Sequence, residues 1–211
     1  MHISRRNLVL GGGALVGLAA SARAQKLVPT SGQDLGPFYP VVRPRDEDAD
    51  LTRLRGAKGI AKGEPINVIG RVVDLRGRPV RGVRLDLWQA NSVGRYDHPG
   101  DHANPGAVDS NFQGFARLST DRGGNFKFRT IKPSAYNTPI GMRTPHIHFD
   151  IHGRSERLVT QMYFPGDALN DGDFLLRNAT PRESLIAEAA ARLSGDPAAA
   201  AFQWTVVLAY G

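Results

Sequence analysis

Residues 66–74 read Ile66-Asn67-Val68-Ile69-Gly70-Arg71-Val72-Val73-Asp74, and Leu75-Arg76-Gly77-Arg78-Pro79 follows at once. A β-branched run closed by a glycine- and proline-bearing reversal reads as a strand that ends in a turn. The chain resumes over residues 83–90, where Val83, Leu85 and Leu87 alternate with Arg84, Asp86 and Trp88. That period of two marks a second strand with one face in a core. Working outward, residues 112–119 and 125–130 flank Thr120-Asp121-Arg122-Gly123-Gly124, a hairpin signature, and residues 146–151, 158–164 and 202–209 carry further strand signals. Short strands punctuated by turns in this way predict an all-β chain folded as a β-sandwich. One helix is expected in the C-terminal half. Thr180 supplies an N-cap, Pro181 the first helical position and Glu183 a capping box, ahead of an alanine-rich amphipathic stretch to Leu193 that Ser194-Gly195-Asp196-Pro197 ends.

Three segments are expected. Residues 1–24 contain Ser4-Arg5-Arg6-Asn7-Leu8-Val9, a short apolar stretch and Ala22-Arg23-Ala24, the pattern of a twin-arginine export signal with its cleavage site; a retained N-terminal anchor is the alternative. Residues 25–63 are rich in proline, glycine and charge and predict an extended arm, and residues 64–211 hold the sandwich. The expected location is therefore periplasmic or secreted, with no membrane attachment once the signal is removed.

The 211 residues carry a formal charge of +7, and losing Arg5, Arg6 and Arg23 with the signal lowers it to +4. Basic side chains are scattered among acids, so no nucleic-acid stripe is expected. With 41% hydrophobic and 22% charged residues the chain has the composition of a globular domain. Cysteine is absent, which excludes disulfides and thiolate metal sites.

Chemistry concentrates in Arg143-Thr144-Pro145-His146-Ile147-His148-Phe149-Asp150-Ile151-His152. On a strand His146 and His148 share one face while Ile147, Phe149 and Ile151 share the other, so two imidazoles are placed to hold one metal ion. With six histidines in the chain, chance alone supplies about 0.2 such pairs, and histidines satisfied in a core or on a surface are the commoner outcome for a lone pair. Tyr96 and Tyr136 stand in loops bordered by glycine or proline, where functional groups gather. A phenol titrates near pH 10 and is a poor ligand unless a hard trivalent cation such as Fe(III) displaces its proton. Two phenolates and two neutral imidazoles around Fe(III) leave one positive charge, which a hydroxide cancels. His146 and His148 with a carboxylate around Fe(II) or Zn(II) is a second reading, and a transthyretin-like binding module without redox catalysis a third. His98, His102 and His152 read as solvent or supporting residues, Asp150 as a strand-edge carboxylate, and Trp88 and Trp204 as core. Tyr163 and Tyr210 sit in no matching loop, and Tyr39 is a candidate pocket wall.

The ordered set Gly36-Pro37-Phe38-Tyr39-Pro40, Gly70-Arg71-Val72-Val73-Asp74, Leu87-Trp88-Gln89-Ala90-Asn91, Gly94-Arg95-Tyr96, Arg129-Thr130-Ile131-Lys132-Pro133, Arg143 to Phe149, and Leu158 to Asp167 resembles the intradiol ring-cleavage dioxygenases. Within that family it is most similar to the iron-bearing subunits of protocatechuate 3,4-dioxygenases. The resemblance covers nearly all of residues 25–211. It implies a non-haem Fe(III) centre with Tyr96, Tyr136, His146 and His148 as ligands, Arg143 as the active-site arginine and Gln161 beside substrate and iron. It further implies that a catechol-type substrate binds as a dianion, Tyr136 taking one of its protons, and that O2 cleaves the ring to a cis,cis-muconate-type dicarboxylic acid. Two departures stand out. The segment Asn137-Thr138-Pro139-Ile140-Gly141-Met142 is shorter than in the protocatechuate enzymes and lacks their aromatic residue, which leaves the substrate open. The arm resembles the partner subunit's instead, which implies a stand-alone monomer or homo-oligomer.

Overall fold

The computed structural model describes residues 27–42, 44, 46–102 and 104–210. The expected export signal, residues 1–24, lies outside the described residues. In chain order the elements are β1 (Pro65–Asp74), β2 (Arg84–Trp88), β3 (Phe115–Ser119), β4 (Asn125–Ile131), β5 (Tyr136–Thr138), β6 (Gly141–Arg143), β7 (His146–His152), β8 (Arg157–Tyr163), α1 (Phe174–Arg177), β9 (Glu188–Ala190) and β10 (Ala200–Leu208). One sheet has the order β4-β1-β10-β9 and the other β3-β2-β7-β8, while β5 and β6 form a separate hairpin. Every pairing is antiparallel except β1 with β10. This is the β-sandwich the sequence predicts.

The core fills the space between the sheets with the alternate residues the period-2 pattern assigns to it. Leu85, Leu87, Ile147, Phe149, Ile151 and Met162 from one sheet meet Val68, Val72, Phe126, Phe128, Trp204 and Val206 from the other. Phe149 sits at the centre, its ring 5.0 Å from that of Trp204 and 6.1 Å from that of Phe128. Gly70 makes room for these rings, since a Cβ there would lie 1.9 Å from Phe126. Full burial of each such side chain stabilises the fold by about 1.5–3 kcal/mol.

The outer face of the second sheet is also covered. Among the described residues of 27–63 the chain forms no strand or helix beyond a single bridge from Asp50 to Arg129. It hydrogen-bonds along β8, Gln33 N–H to Val159 C=O at 2.8 Å and Thr160 Oγ1 to Ser31 C=O at 2.8 Å. It then lays Tyr39 edge-on against Trp88, with ring centroids 4.9 Å apart. As a result every residue of β7 is buried except His152.

The helix expected over residues 180–193 does not form. Residues Arg182–Leu185 make a 3-10 turn, and the chain then extends into β9, an edge strand on β10. The stripe that looked amphipathic is mostly alanine, whose methyl groups bury little area. The extended path instead drops Leu185 against Tyr163 and Leu176 and donates the Ala187 N–H to the Tyr163 carbonyl at 2.9 Å. Helix propensity is a weak preference that such tertiary contacts override. The short helix of the C-terminal half is α1, a single turn capped by Asp173.

Candidate metal centre

β7 carries His146 and His148 out of the sheet on the face that the arm covers, and the register sets Trp88 and Gln161 on either side of His148. Trp88 stacks on the His148 ring, centroids 4.8 Å apart and planes 10° from parallel. Gly36 of the arm lies over the same imidazole with φ +77°, and a Cβ there would come within 3.1 Å of Cε1. Trp88, assigned to the core by sequence, is therefore also a wall of the site.

The two tyrosines arrive from separate loops that are locked together. Asn91 Oδ1 accepts from the Val93 and Arg95 N–H groups, each at 3.0 Å, and Asp101 Oδ2 accepts from Tyr96 N–H at 2.7 Å. Gly94, at φ +78°, lets this loop press against the carbonyl of Ala135, which a Cβ would meet at 2.7 Å. Tyr96 thereby lies beside Tyr136. Tyr136 itself opens β5 rather than sitting in an irregular loop, and pairs across the hairpin with Arg143.

Four donor atoms converge. Tyr96 Oη is 3.3 Å from Tyr136 Oη, which is 3.4 Å from His146 Nε2, which is 3.1 Å from His148 Nε2. An ion held at about 2.0–2.1 Å from each donor would set neighbouring donors at this spacing. The proton inventory points the same way. His146 Nδ1 lies 2.7 Å from the Thr144 carbonyl, which only accepts, so that nitrogen holds the proton and Nε2 offers a lone pair. His148 Nδ1 is buried without a hydrogen-bond partner. Burial, and then the charge of Arg143, holds His146 well below its ordinary 6.5; burial followed by His146 and Arg143 does the same to His148. Both rings are neutral at pH 7 and available as candidate ligands. Burial pushes both phenols above their ordinary 10, with Tyr136 raising Tyr96 further. A nearby cation is what removes their protons. The donor set thus fits a hard, highly charged metal ion.

Arg143 and Gln161 join the same cluster. The Arg143 guanidinium is buried, not a solvated strand-edge charge: Nε donates to Asp173 Oδ2 at 2.8 Å, and Nη2 to Gln161 Oε1 at 2.6 Å and Tyr163 Oη at 3.2 Å. Gln161 also accepts from Tyr163 Oη at 2.9 Å and donates to the Asp34 carbonyl at 3.3 Å. Tyr163 faces this network rather than the four donors. Asp173 had no signal in the sequence, because its contact with Arg143 spans 30 residues.

The other described histidines, His98, His102 and His152, are elsewhere. His98 Nδ1 accepts from Gly100 N–H at 2.9 Å, and His102 is exposed. His152 forms a second cluster with Asp86 and Asp150, their ligand atoms lying within 4.8 Å of one another. Arg117 closes on both oxygens of Asp86, and Arg157 on both of Asp150, so these carboxylates already have their counter-ions. Among the described residues His146 Nε2 has Tyr136 Oη and His148 Nε2 as hydrogen-bond neighbours, and His148 Nε2 has His146 Nε2, with no carboxylate at either.

Residues 35–210 match the family model described as Dioxygenase. The protocatechuate 3,4-dioxygenase beta chain of Burkholderia cepacia is 39% identical over 203 residues, spanning 92% of this chain and 81% of that one. The catechol 1,2-dioxygenase of Candida albicans is 29% identical over 187 residues, covering 77% of this chain and 58% of its own. Among solved structures, the dioxygenase domain of a dioxygenase carbohydrate-binding protein fusion from Streptomyces sp. SirexAA-E is similar, with TM-score 0.65 and 28% identity over 86% of this chain and 99% of that one.

Proposed function

This chain belongs to the intradiol ring-cleavage dioxygenases, and on that premise we propose that it opens a catechol-type ring with O2 at a ferric ion held by Tyr96, Tyr136, His146 and His148. The convergence of four donor atoms 3.1–3.4 Å apart, with the His146 lone pair turned inward and no carboxylate among them, carries this reading. Bound there, Fe(III) would lower the pKa of coordinated phenols and draw electron density from a coordinated catechol, so that ring carbon becomes open to O2.

The protein's own groups supply the rest. The Thr144 carbonyl fixes the His146 tautomer, and Trp88 and Gly36 clamp the His148 ring. Tyr136 would take a proton from an incoming catechol hydroxyl, the role that the family resemblance gives it. Arg143 would provide fixed positive charge where negative charge develops as oxygen adds to the ring, and in a buried setting that charge counts for more than it would in water. Phe38, 4.7 Å from the Tyr96 ring, and Tyr39 on Trp88 exclude water. The bond between the two hydroxyl-bearing carbons breaks, both oxygen atoms of O2 enter the product, and a cis,cis-muconate-type dicarboxylic acid leaves.

Iron-loaded protein should consume one O2 per catechol and yield a product with the ultraviolet absorbance of a conjugated diacid. No oxygen uptake from catechol, protocatechuate or hydroxyquinol would contradict the proposal. Replacing Tyr136 with Phe should slow turnover by about 10²-fold, the lower range for loss of a proton-transfer group. We further propose that residues 1–24 export the chain by the twin-arginine route, which carries folded proteins and so delivers the metal already placed; recovery of the mature chain in the cytoplasm alone would refute this. Among the described residues no helix is long and apolar enough to cross a membrane.

A further inference from the structure

We propose that Asp173 is the positioning residue of this site, a single buried carboxylate that aims Arg143 and, through Thr144, sets His146. The inference rests on the site reading given above and concerns a residue outside the ligand set. Asp173 has no exposed surface, and its two oxygens do different work. Oδ1 accepts from the N–H groups of Leu175 and Leu176, both at 3.0 Å, and so caps α1. Oδ2 accepts from Arg143 Nε at 2.8 Å and from the Thr144 N–H at 3.0 Å. The carbonyl of that same Thr144 holds His146 Nδ1 at 2.7 Å. One carboxylate therefore ties a turn 30 residues downstream to the guanidinium and to the peptide that orients a candidate ligand.

A side-chain cap alone would need only Oδ1, and Ser or Asn serves as well as Asp in that role. The second oxygen fixes which edge of the guanidinium is occupied. Asp173 takes Nε, while Gln161 and Tyr163 take Nη2. Among the described residues Nη1 makes no hydrogen bond and is the nitrogen left for substrate. Asn170 reinforces the same seam, accepting from Thr144 Oγ1 at 3.0 Å and donating to the Phe164 carbonyl at 2.8 Å. A neutral residue at position 173 would leave the buried guanidinium free to turn toward the remaining acceptors, and the Thr144 peptide free to rotate away from His146.

Asp173→Asn and Asp173→Ser keep a helix cap and remove the charge, so they separate the two roles. In the iron-loaded protein each should lower kcat about 10- to 100-fold, the range for residues that orient metal-binding or catalytic groups, with KM for catechol changed less than about twofold. In an Arg143→Met background, Asp173→Asn should lower kcat by a clearly smaller factor, because only the route through Thr144 is left. An equal factor in both backgrounds, or wild-type kcat in both variants, overturns the proposal. Metal-free protein gives a reading independent of activity. In ¹⁵N-resolved NMR of the wild type, the Arg143 Nε–H should resonate downfield and exchange slowly with water. A fast-exchanging, random-coil signal overturns the proposal even if the variants fail to fold. Iron-loaded wild type that leaves catechol and O2 untouched would overturn the reading of the site itself. Active wild type with equal losses in both backgrounds would overturn only the role of Asp173.

Discussion

The two ends of β7 present histidines on the same face and have opposite characters. At the start of the strand His146 and His148 face each other and two phenols, with no acid between them and with Nδ1 of His148 unpaired. About 13 Å along from His148, His152 lies 2.9 Å from Asp150, and Asp86 and Asp150 are gripped by Arg117 and Arg157. Counted by histidines and carboxylates alone, the second cluster is the fuller one, with Asp86, Asp150 and His152 against His146 and His148. Judged by what each donor already bonds, it is a buried ion-pair network that joins β2, β3, β7 and β8. A cluster of ligand-type residues is a structural feature when each carboxylate already has its own arginine, and a candidate centre when its donors have only one another.

The strongest way to break this contrast is to remove one histidine from each end. His148→Ala should abolish iron binding and lower turnover by more than about 100-fold, since even residues that merely orient ligands cost 10- to 100-fold. His152→Ala should leave iron content and kcat within about twofold. Equal losses would erase the distinction. Next in size, Asp86→Asn strands Arg117 and should lower stability by about 2–3 kcal/mol, discounted because Arg117 is partly exposed. That corresponds to about 5–10 °C in Tm, with the iron absorption band unmoved; calorimetry and a visible spectrum of one sample read both.

Acid should separate the ends as well. Burial keeps His146 and His148 from taking the protons that the unfolded chain accepts near its ordinary pKa of 6.5. Metal-free protein should therefore lose stability as the pH falls below about 6.5. Although burial pushes it up, hydrogen bonds from Arg157 and His152 hold Asp150 below its ordinary 3.8. Its contribution is complete above that pH and is lost only as the pH drops through the depressed value. Urea titrations at pH 7.5, 6.5, 5.5 and 4.5 should change little between the first two and fall steadily below pH 6.5; a flat series down to pH 5 would show that the imidazoles are not buried neutral. The smallest effect is expected at Gly36→Ala, where φ +77° and the contact with His148 predict a loss of about 1–2 kcal/mol, measured by the same titration.

What the sequence disclosed follows from the range of the forces involved. Seven strands were legible because each carries a β-branched or alternating run of five residues or more. The hairpin of β5 and β6 and the edge strand β9, three residues each, are too short to show a period. The stretch after Pro181 misled because alanine carries helix propensity without the bulk to hold a helix on the sandwich. The pairing of His146 with His148 was visible as spacing within one strand. Their union with Tyr96 and Tyr136 depended on the resemblance, because it is made by the packing of Gly94 against Ala135. Asp173 was invisible, since no local pattern distinguishes an acid that caps one turn from an acid that also holds an arginine 30 residues away.

The most direct test is the visible absorption spectrum of the purified protein with its iron content, before and after anaerobic catechol. A broad phenolate-to-Fe(III) band at about one iron per chain, shifting to longer wavelength with catechol, is the expected result. Protein that stays colourless after ferric reconstitution would mean that Tyr96 and Tyr136 do not share an ion with His146 and His148, and would contradict the assignment at its root.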